Sequence, residues 1–224
     1  MTQILSLLQA ALVFGTVILF GAMGEILTEK SGNLNLGVPG IMYLGGIAGL
    51  AGAFWYEGAV AEPIPFLGLL IALVCSLAAS VLAGLIYSFL TISLRANQNV
   101  TGLTLTIFGG GVANFFGGTM NKMAGGVGQI SVAATSGAYR STLPFLSDVG
   151  VFSALGFMVY LALAIAFIMS WYLGKTRRGL NLRAVGENPA TADAAGISVI
   201  RYKYLATCIG AAITGLGGLY YVMD

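Results

Sequence analysis

Six apolar runs dominate the 224-residue sequence and limit the folds open to it. They cover residues 4–23, 41–55, 66–94, 100–118, 151–173 and 204–223. A helix of about 20 apolar residues crosses the hydrocarbon core of a bilayer, and most of the runs reach or approach that length. With 58% hydrophobic residues, 8% charged residues and a mean hydropathy of +0.91, the chain lies outside the range of soluble globular proteins. We therefore predict an all-α bundle of about six membrane spans in a single domain, residues 1–224.

The longest polar segment, residues 174–203, fixes the predicted orientation of the spans. It carries six basic and two acidic residues, so its net charge is +4. Because positively charged loops remain on the cytoplasmic side, we predict that this loop is cytoplasmic. Counting the spans back from it places both chain ends and the polar, glycine-rich segment 121–150 outside.

The middle of this loop carries the signals of a short helix. Asn188 suits the N-cap position, because its side chain can accept a hydrogen bond from a free amide of the first turn. Pro189 suits the first helical position, and Gly196 suits a left-handed residue just past the end. The pattern predicts a two-turn helix over residues 189–195. A helix so short is not stable alone in water, so it either docks against something or lies on the membrane surface as a connector.

The segment after the first span, residues 24–40, leaves two interpretations open. It is either an ordinary turn between spans or a broken segment that enters the membrane beside a cavity, where irregular backbone is tolerated. Its polar and helix-disfavouring residues are Gly32, Asn33, Asn35, Gly37, Pro39 and Gly40.

The fourth run carries several polar residues. Three consecutive glycines at residues 109–111 predict a kink or break in its helix. Asn114 lies at membrane depth and needs a partner or a wet cavity. It therefore either makes interhelical hydrogen bonds or lines a passage for a polar, neutral solute.

Small residues predict close helix packing at two further places. Gly45, Gly49 and Gly52 share roughly one face of the second run, and the last run has such a face within residues 210–218. If further helices of a longer chain are missing, we expect the face at 210–218 to lie against lipid.

Other residue types exclude several functions. The sequence has no histidine, and Cys75 and Cys208 both lie inside apolar runs, so we expect neither a metal site nor a disulfide. There is no Gly-x-x-x-x-Gly-Lys-Ser/Thr phosphate loop and no Ser/His/Asp or Cys/His set, so we expect no enzymatic activity on this chain. The net charge of +2 is concentrated in one loop, which indicates membrane orientation and not nucleic-acid binding. No basic residue precedes the first run, so we expect no cleaved signal peptide.

Three motifs give the chain a family resemblance. Arg183-Ala-Val-Gly-Glu-Asn-Pro189, with Ala194-Ala-Gly-Ile197, closely resembles the coupling loop of permease subunits in bacterial ABC importers. Glu29-Lys-Ser-Gly-Asn-Leu-Asn-Leu-Gly37 resembles the signature of the simple-sugar and nucleoside permeases in the branched-chain amino acid/ribose superfamily. Asn97-Gln-Asn-Val-Thr-Gly-Leu103 supports the same family. One departure is Val38-Pro39, where relatives commonly carry Leu-Glu.

The resemblance implies a multi-pass permease of the bacterial plasma membrane that imports a nucleoside or a simple sugar. Within 174–203 it implies a cytoplasmic coupling helix that sits in a cleft of an ATPase subunit. The residues implied in coupling are Arg183, Gly186, Glu187, Asn188, Pro189, Ala195 and Gly196. The residues implied along the substrate path are Asn33, Asn35, Gly37, Asn97, Asn99, Thr101 and Asn114.

The resemblance also implies partners. They are ABC ATPase subunits that hold ATP and Mg²⁺, a second permease subunit in a homodimer or heterodimer, and an extracytoplasmic solute-binding protein. No cofactor is expected on this chain itself. Relatives continue past this point with several more spans, so we expect the chain to lack the family's C-terminal helices.

Two other classes of function stay open on the sequence. In an ion-coupled secondary transporter or channel, Glu25 and Glu29 would be the coupling acids, but the capped loop helix would then have no role. In a non-transporting scaffold, alanine at Asn35 and Asn114 would leave the function intact. Arg183 is explained equally well by the positive-inside rule alone.

Overall fold

The computed structural model describes residues 2–126, 130–141 and 155–223. The described residues form nine α-helices and no β-strand: α1 (Thr2–Glu29), α2 (Val38–Ala59), α3 (Pro65–Ser88), α4 (Gln98–Met123), α5 (Ala133–Arg140), α6 (Phe157–Lys175), α7 (Arg177–Glu187), α8 (Pro189–Ala194) and α9 (Val199–Met223). A π-helical turn, Phe89–Ser93, extends α3. Six of these helices are long and apolar enough to cross a membrane, namely α1, α2, α3, α4, α6 and α9. The predicted all-α bundle of six spans is confirmed.

The first two spans are longer than the sequence predicts. α1 continues to Glu29, and α2 already begins at Val38, so only residues 30–37 between them are not helical. Pro39 and Gly40 were expected to disfavour helix because of their residue types. They instead lie in the first turn of α2. A proline is tolerated there because its missing N–H would have no partner in any case.

Part of the predicted outer region lies outside the described residues. This concerns the start of the predicted fifth span, residues 151–154, and residues 127–129 and 142–150 of the segment 121–150. The described part of that segment is more regular than a polar loop, because it forms the short helix α5.

The glycines at residues 109–111 do not break the fourth span. α4 runs without interruption from Gln98 to Met123, so the predicted break is wrong. Gly109 faces α2, where a Cβ added to it would lie 2.7 Å from the Cα of Gly40. Gly111, two residues on, has nothing within 4 Å of its Cβ position. The glycine run therefore provides one close helix crossing and leaves the helix continuous.

α9 is the central helix and packs against α1, α2 and α3. Its small residues let the neighbouring backbones approach closely. A Cβ on Gly210 would lie 2.6 Å from Thr28 Oγ1, and one on Gly217 would lie 2.8 Å from Phe20 Cβ. The face at 210–218 is thus buried inside the bundle, and the expectation that it lies against lipid is wrong.

The predicted small-residue face of α2 is confirmed as a packing face. A Cβ on Gly45 would lie 2.8 Å from the Cα of Gly215, and one on Gly52 would lie 2.8 Å from the Sγ of Cys75. Cys75 and Cys208 are both free thiols, as expected from their place in apolar runs.

α5 packs against α3, α6 and α9 at the end of the bundle away from residues 174–203. The N–H of Thr135 donates to Glu57 Oε1 at 2.7 Å, which ties the start of α5 to the end of α2. The hydroxyl of Tyr139 donates to the carbonyl of Leu69 at 2.9 Å, and its ring stacks on Phe157. Burial raises the pKa of the Tyr139 hydroxyl, so it remains a neutral donor.

Candidate coupling and solute-path site

The basic loop, predicted to be cytoplasmic, folds into two consecutive helices at one end of the bundle. The sequence predicts only the second, α8, which ends one residue earlier than expected, with Ala195 as its C-cap. The first, α7, was not predicted from the sequence. Thr176 caps α7, since its Oγ1 accepts a hydrogen bond from the N–H of Gly179 at 3.0 Å. Leu182 and Val185 bury its inner face, and this spacing was the available signal for a helix.

The ends of α8 have the predicted chemistry. Asn188 Oδ1 accepts a hydrogen bond from the N–H of Thr191 at 3.1 Å. Gly196 follows the helix with φ of +79°, where residues other than glycine are strained. Its N–H donates to Asp193 O at 2.8 Å, and the N–H of Ile197 donates to Ala192 O at 3.0 Å, which together form a Schellman motif.

Most of α8 faces outward. Ala192 is 3% exposed and is the contact of α8 with the rest of the chain. Glu187, Asn188 and Pro189 at its start are exposed, as are Ala195 and Gly196 at its end. Five of the predicted coupling residues, at 187–189 and 195–196, thus lie around one short, outward-facing helix, and Gly186 lies in the last turn of α7 just before it.

We expect Asn188→Ala to loosen α8, because the helix loses the side chain that satisfies a first-turn amide. The loss of an N-cap costs about 1 kcal/mol. Hydrogen–deuterium exchange should therefore become about fivefold faster at residues 190–197. Asn188→Ser keeps an N-cap acceptor and should exchange nearly as slowly as the unchanged protein. Equal exchange in the alanine and unchanged proteins would contradict the role of the cap.

Gly186 brings the last turn of α7 into direct contact with the segment that joins α1 and α2. A Cβ added to it would lie 3.0 Å from Lys30 C and 3.1 Å from Gly32 N, both backbone atoms of residues 30–37. We call residues 30–37 the link. Gly32 has φ of +82° and faces Gly186 in return, since its own Cβ would lie 3.2 Å from Gly186 Cα. The last turn of α7 and the start of the link therefore touch backbone to backbone.

The backbone of the link is held by side chains from α3 and α4. The N–H of Leu34 donates to Gln98 Oε1 at 2.9 Å, and the carbonyl of Leu34 accepts from the Tyr87 hydroxyl at 2.5 Å. The carbonyl of Leu36 accepts from Thr106 Oγ1 at 2.9 Å.

The two asparagine side chains of the link bond to α9, to α4 and to the link itself. Asn33 Nδ2 donates to Thr207 Oγ1 at 3.4 Å, and Asn33 Oδ1 accepts from Gln98 Nε2 at 3.5 Å. Asn35 Oδ1 accepts from the N–H of Gly37 at 2.9 Å, and the backbone N–H of Asn35 donates to Glu25 Oε1 at 2.8 Å. Asn33 and Asn35 are 1% and 4% exposed, so their side chains stabilise the link in this conformation.

The remaining predicted path residues lie along α4. Asn97 caps that helix by accepting hydrogen bonds from the N–H groups of Asn99 and Val100, and Asn97 and Asn99 are both exposed. Thr101 lines an apolar groove of about 600 Å³ between α2, α3 and α4. Gly37 packs beneath α4, where its Cβ would lie 2.9 Å from Leu105 Cδ2.

Asn114 lies far from this cluster, in the second half of α4. Sixteen residues of helix separate it from Gln98, which corresponds to about 24 Å. It lines a cavity of about 740 Å³, a size that holds a small solute. The polar residues of the cavity wall are Asn114, Asn121, Ser131, Ser136 and Arg140.

Arg183 lies on α7 with its Nε buried and without a hydrogen-bond partner among the described residues. A buried donor of this kind is costly to leave unpaired. The sequence did not identify Gln98, Tyr87, Thr106 and Thr207 as partners of the link, nor Lys30 and Gly32 as the contact of Gly186. Gln98 had a usable signal, because it lies within the motif at residues 97–103.

Comparison with known proteins defines the class of this molecule. The profile of the family described as branched-chain amino acid transport system / permease component matches residues 7–224. The chain belongs to this family. Six apolar helices and this membership make it a multi-pass protein of the plasma (inner) membrane.

Three relatives are particularly similar. A protein of Haloferax volcanii, provisionally named as a glucose ABC transporter permease, is 32% identical over 96% of this chain and 61% of its own length. The guanosine ABC transporter permease protein of Bacillus subtilis is 33% identical over 98% of this chain and 68% of its own length. The nucleoside ABC transporter permease protein of Lactococcus lactis is 30% identical over 94% of this chain and 65% of its own length.

The chain thus spans roughly two thirds of the length of these relatives, between 61% and 68%. No solved structure matches it.

Proposed function

We propose that this chain is the transmembrane permease subunit of an ABC importer for a nucleoside or a simple sugar. The observation that carries the proposal is the exposed, capped helix α8. It follows directly on α7, whose Gly186 contacts the backbone of the link. The names of the relatives support the solute class, since they mention guanosine, nucleosides and glucose.

In this proposal the chemistry of ATP takes place on partner subunits. ATP and Mg²⁺ bind to ABC ATPase subunits, and this chain binds no cofactor. Glu187, Asn188 and Pro189 enter a cleft of the ATPase together with α8. Arg183 supports Glu187 and Asn188 in this arrangement.

Movement then passes from α8 to the solute path through the link. Gly186 leaves no gap to the link, so a displacement of α7 displaces residues 30–32. The link is hydrogen-bonded to Gln98 and Thr106 of α4, and α4 carries Asn114 on its outer part. A shift of α4 against its neighbours would alternately open and close the path.

The predicted path residues have two roles in this scheme. Asn33, Asn35 and Gly37, with Asn97, Asn99 and Thr101, shape the cytoplasmic part of the path around the link and the start of α4. Asn114 contributes to the outer wall. A second permease subunit, as a homodimer or heterodimer, completes the path, and an extracytoplasmic solute-binding protein delivers the solute to the end that carries α5.

Proteoliposomes test this function directly. They would contain the full-length protein with its ATPase, second permease and binding protein, and uptake of labelled guanosine and glucose would be measured. We expect ATP supplied to the ATPase side to drive uptake of at least one solute, with no requirement for an ion gradient. Uptake driven by an imposed proton or sodium gradient without ATP, and stopped by Glu25→Gln, would instead establish the ion-coupled transporter.

A further inference from the structure

A third cavity is lined by residues of α6, α7 and α9, with Leu27 of α1. Its volume is about 770 Å³. Its walls are almost wholly apolar and include exposed side chains such as Ile168, Leu205 and Ile209, which are 62%, 61% and 51% exposed. We call this cavity the α6–α9 groove. It shares no wall with the link or with the cavity at Asn114.

One end of the groove is positively charged. Arg178 from α7 and Arg201 from α9 both line it, and so does the hydroxyl-bearing Ser198. No acidic residue occurs among the described residues that line the groove. Trp171 and Tyr172 lie beside this end, and aromatic residues of this kind are typical of the boundary between hydrocarbon and headgroups.

The length of the groove matches one leaflet of a bilayer. Along α9 it extends from Ser198 to Ile213, which at 1.5 Å per residue is about 22 Å. Half of a bilayer with its headgroups measures about 20–22 Å. The charged end adjoins the basic loop and therefore lies at the cytoplasmic surface, where anionic lipids attract arginine and lysine.

We propose that the α6–α9 groove binds an anionic phospholipid of the cytoplasmic leaflet. Arg178 and Arg201 hold the phosphate from two different helices, and an acyl chain lies along the apolar walls toward Ile213. The combination of two arginines from different helices with a leaflet-long apolar wall selects a lipid over a soluble phosphate, because soluble phosphate would leave that wall uncovered. The site does not depend on which solute the protein carries.

Native mass spectrometry of the full-length protein tests the site. The protein in detergent is titrated with phosphatidylglycerol, and the bound fraction is compared with that for phosphatidylcholine of the same acyl chains. We expect the protein to retain phosphatidylglycerol tightly and phosphatidylcholine weakly. The double variant Arg178→Gln/Arg201→Gln should weaken it by about 25-fold, at about fivefold for each arginine.

The matched control removes two other charges of the same loop. Lys175 and Arg177 are exposed, adjoin Arg178 and do not line the groove. Lys175→Gln/Arg177→Gln should change retention little, because neither side chain lines the groove that would hold the phosphate. Should the arginine pair fail to fold, Ile209→Trp serves instead, since it fills the groove without changing any charge and should also weaken retention.

Three results would overturn the proposal. If both double variants weakened the retention of phosphatidylglycerol equally, the lipid would be attracted by the overall charge of the basic loop and not by the groove. Equal retention of phosphatidylcholine would mean a purely apolar surface. No retention by the unchanged protein would mean that another part of the longer chain, or no lipid at all, occupies the groove.

Discussion

Replacing Gly186 with alanine is expected to lower solute uptake by about tenfold or more while the protein still inserts into the membrane. A coupling free energy of about 1–3 kcal/mol between sites corresponds to this range. The added Cβ would lie 3.0 Å from Lys30 C and 3.1 Å from Gly32 N. Backbone atoms cannot rotate away as a side chain can, so α7 must separate from the link. The ATPase would then still bind α8, but its movement would not reach α4.

The measurement is ATP hydrolysis with and without transported solute, alongside uptake. Gly186→Ala should retain basal hydrolysis and lose most of the stimulation by solute. Gly174→Ala is the matched control, since Gly174 adjoins the same loop and has nothing within 4 Å of its Cβ position. Normal uptake by Gly186→Ala would refute the link as the path of coupling.

Gly109→Ala is expected to destabilise the bundle, whereas Gly111→Ala is not. A Cβ on Gly109 would lie 2.7 Å from Gly40 Cα, so α2 and α4 must move apart. Overpacking of this kind costs about 1–3 kcal/mol. At Gly111 the Cβ meets open space, and alanine favours helix over glycine by up to about 1 kcal/mol.

Thermal unfolding in detergent, followed by loss of the monodisperse peak in size-exclusion chromatography, compares the two variants. The melting temperature should fall for Gly109→Ala and remain or rise for Gly111→Ala. Two equal decreases would mean that the glycines are needed for a bend in α4 and not for its crossing with α2.

Local rules were sufficient for α8. Its N-cap at Asn188 and its left-handed glycine at Gly196 act on amides and carbonyls only a few residues away, so the sequence contains all the required information. The same rules were ambiguous at Pro39. A proline both interrupts a helix and starts one, and only the position of the first turn of α2 decides between the two.

Long-range partners could not be predicted. The hydrogen bonds that hold Leu34 come from Tyr87 and Gln98, which are 53 and 64 residues away in the sequence. Likewise, nothing local distinguishes Gly109 from Gly111, because the difference is the presence of α2 on one side of α4. The buried position of residues 210–218 has the same cause, since α9 is surrounded by three helices from earlier in the chain.

The candidate solute path contains one residue whose surroundings could be predicted from the sequence and two whose surroundings could not. Asn114 had to find a partner or a polar cavity at membrane depth, and the structure places it on a polar cavity wall. Asn33 and Asn35 were predicted along the path from their motif, yet both side chains are buried, and they hydrogen-bond to Thr207 and to the N–H of Gly37. Their contact with solute stays a prediction.

Binding of the ATPase to α8 is the central claim, and co-purification tests it most directly. The full-length protein would be expressed with its ATPase and purified by a tag on the permease, next to the Glu187→Lys variant. Glu187 is exposed at the start of α8, so the change reverses a charge without disturbing the bundle. We predict that the ATPase elutes with the unchanged protein and is lost with Glu187→Lys. Absence of the ATPase from the unchanged protein would contradict the importer, and equal recovery with both would contradict the role of this helix start.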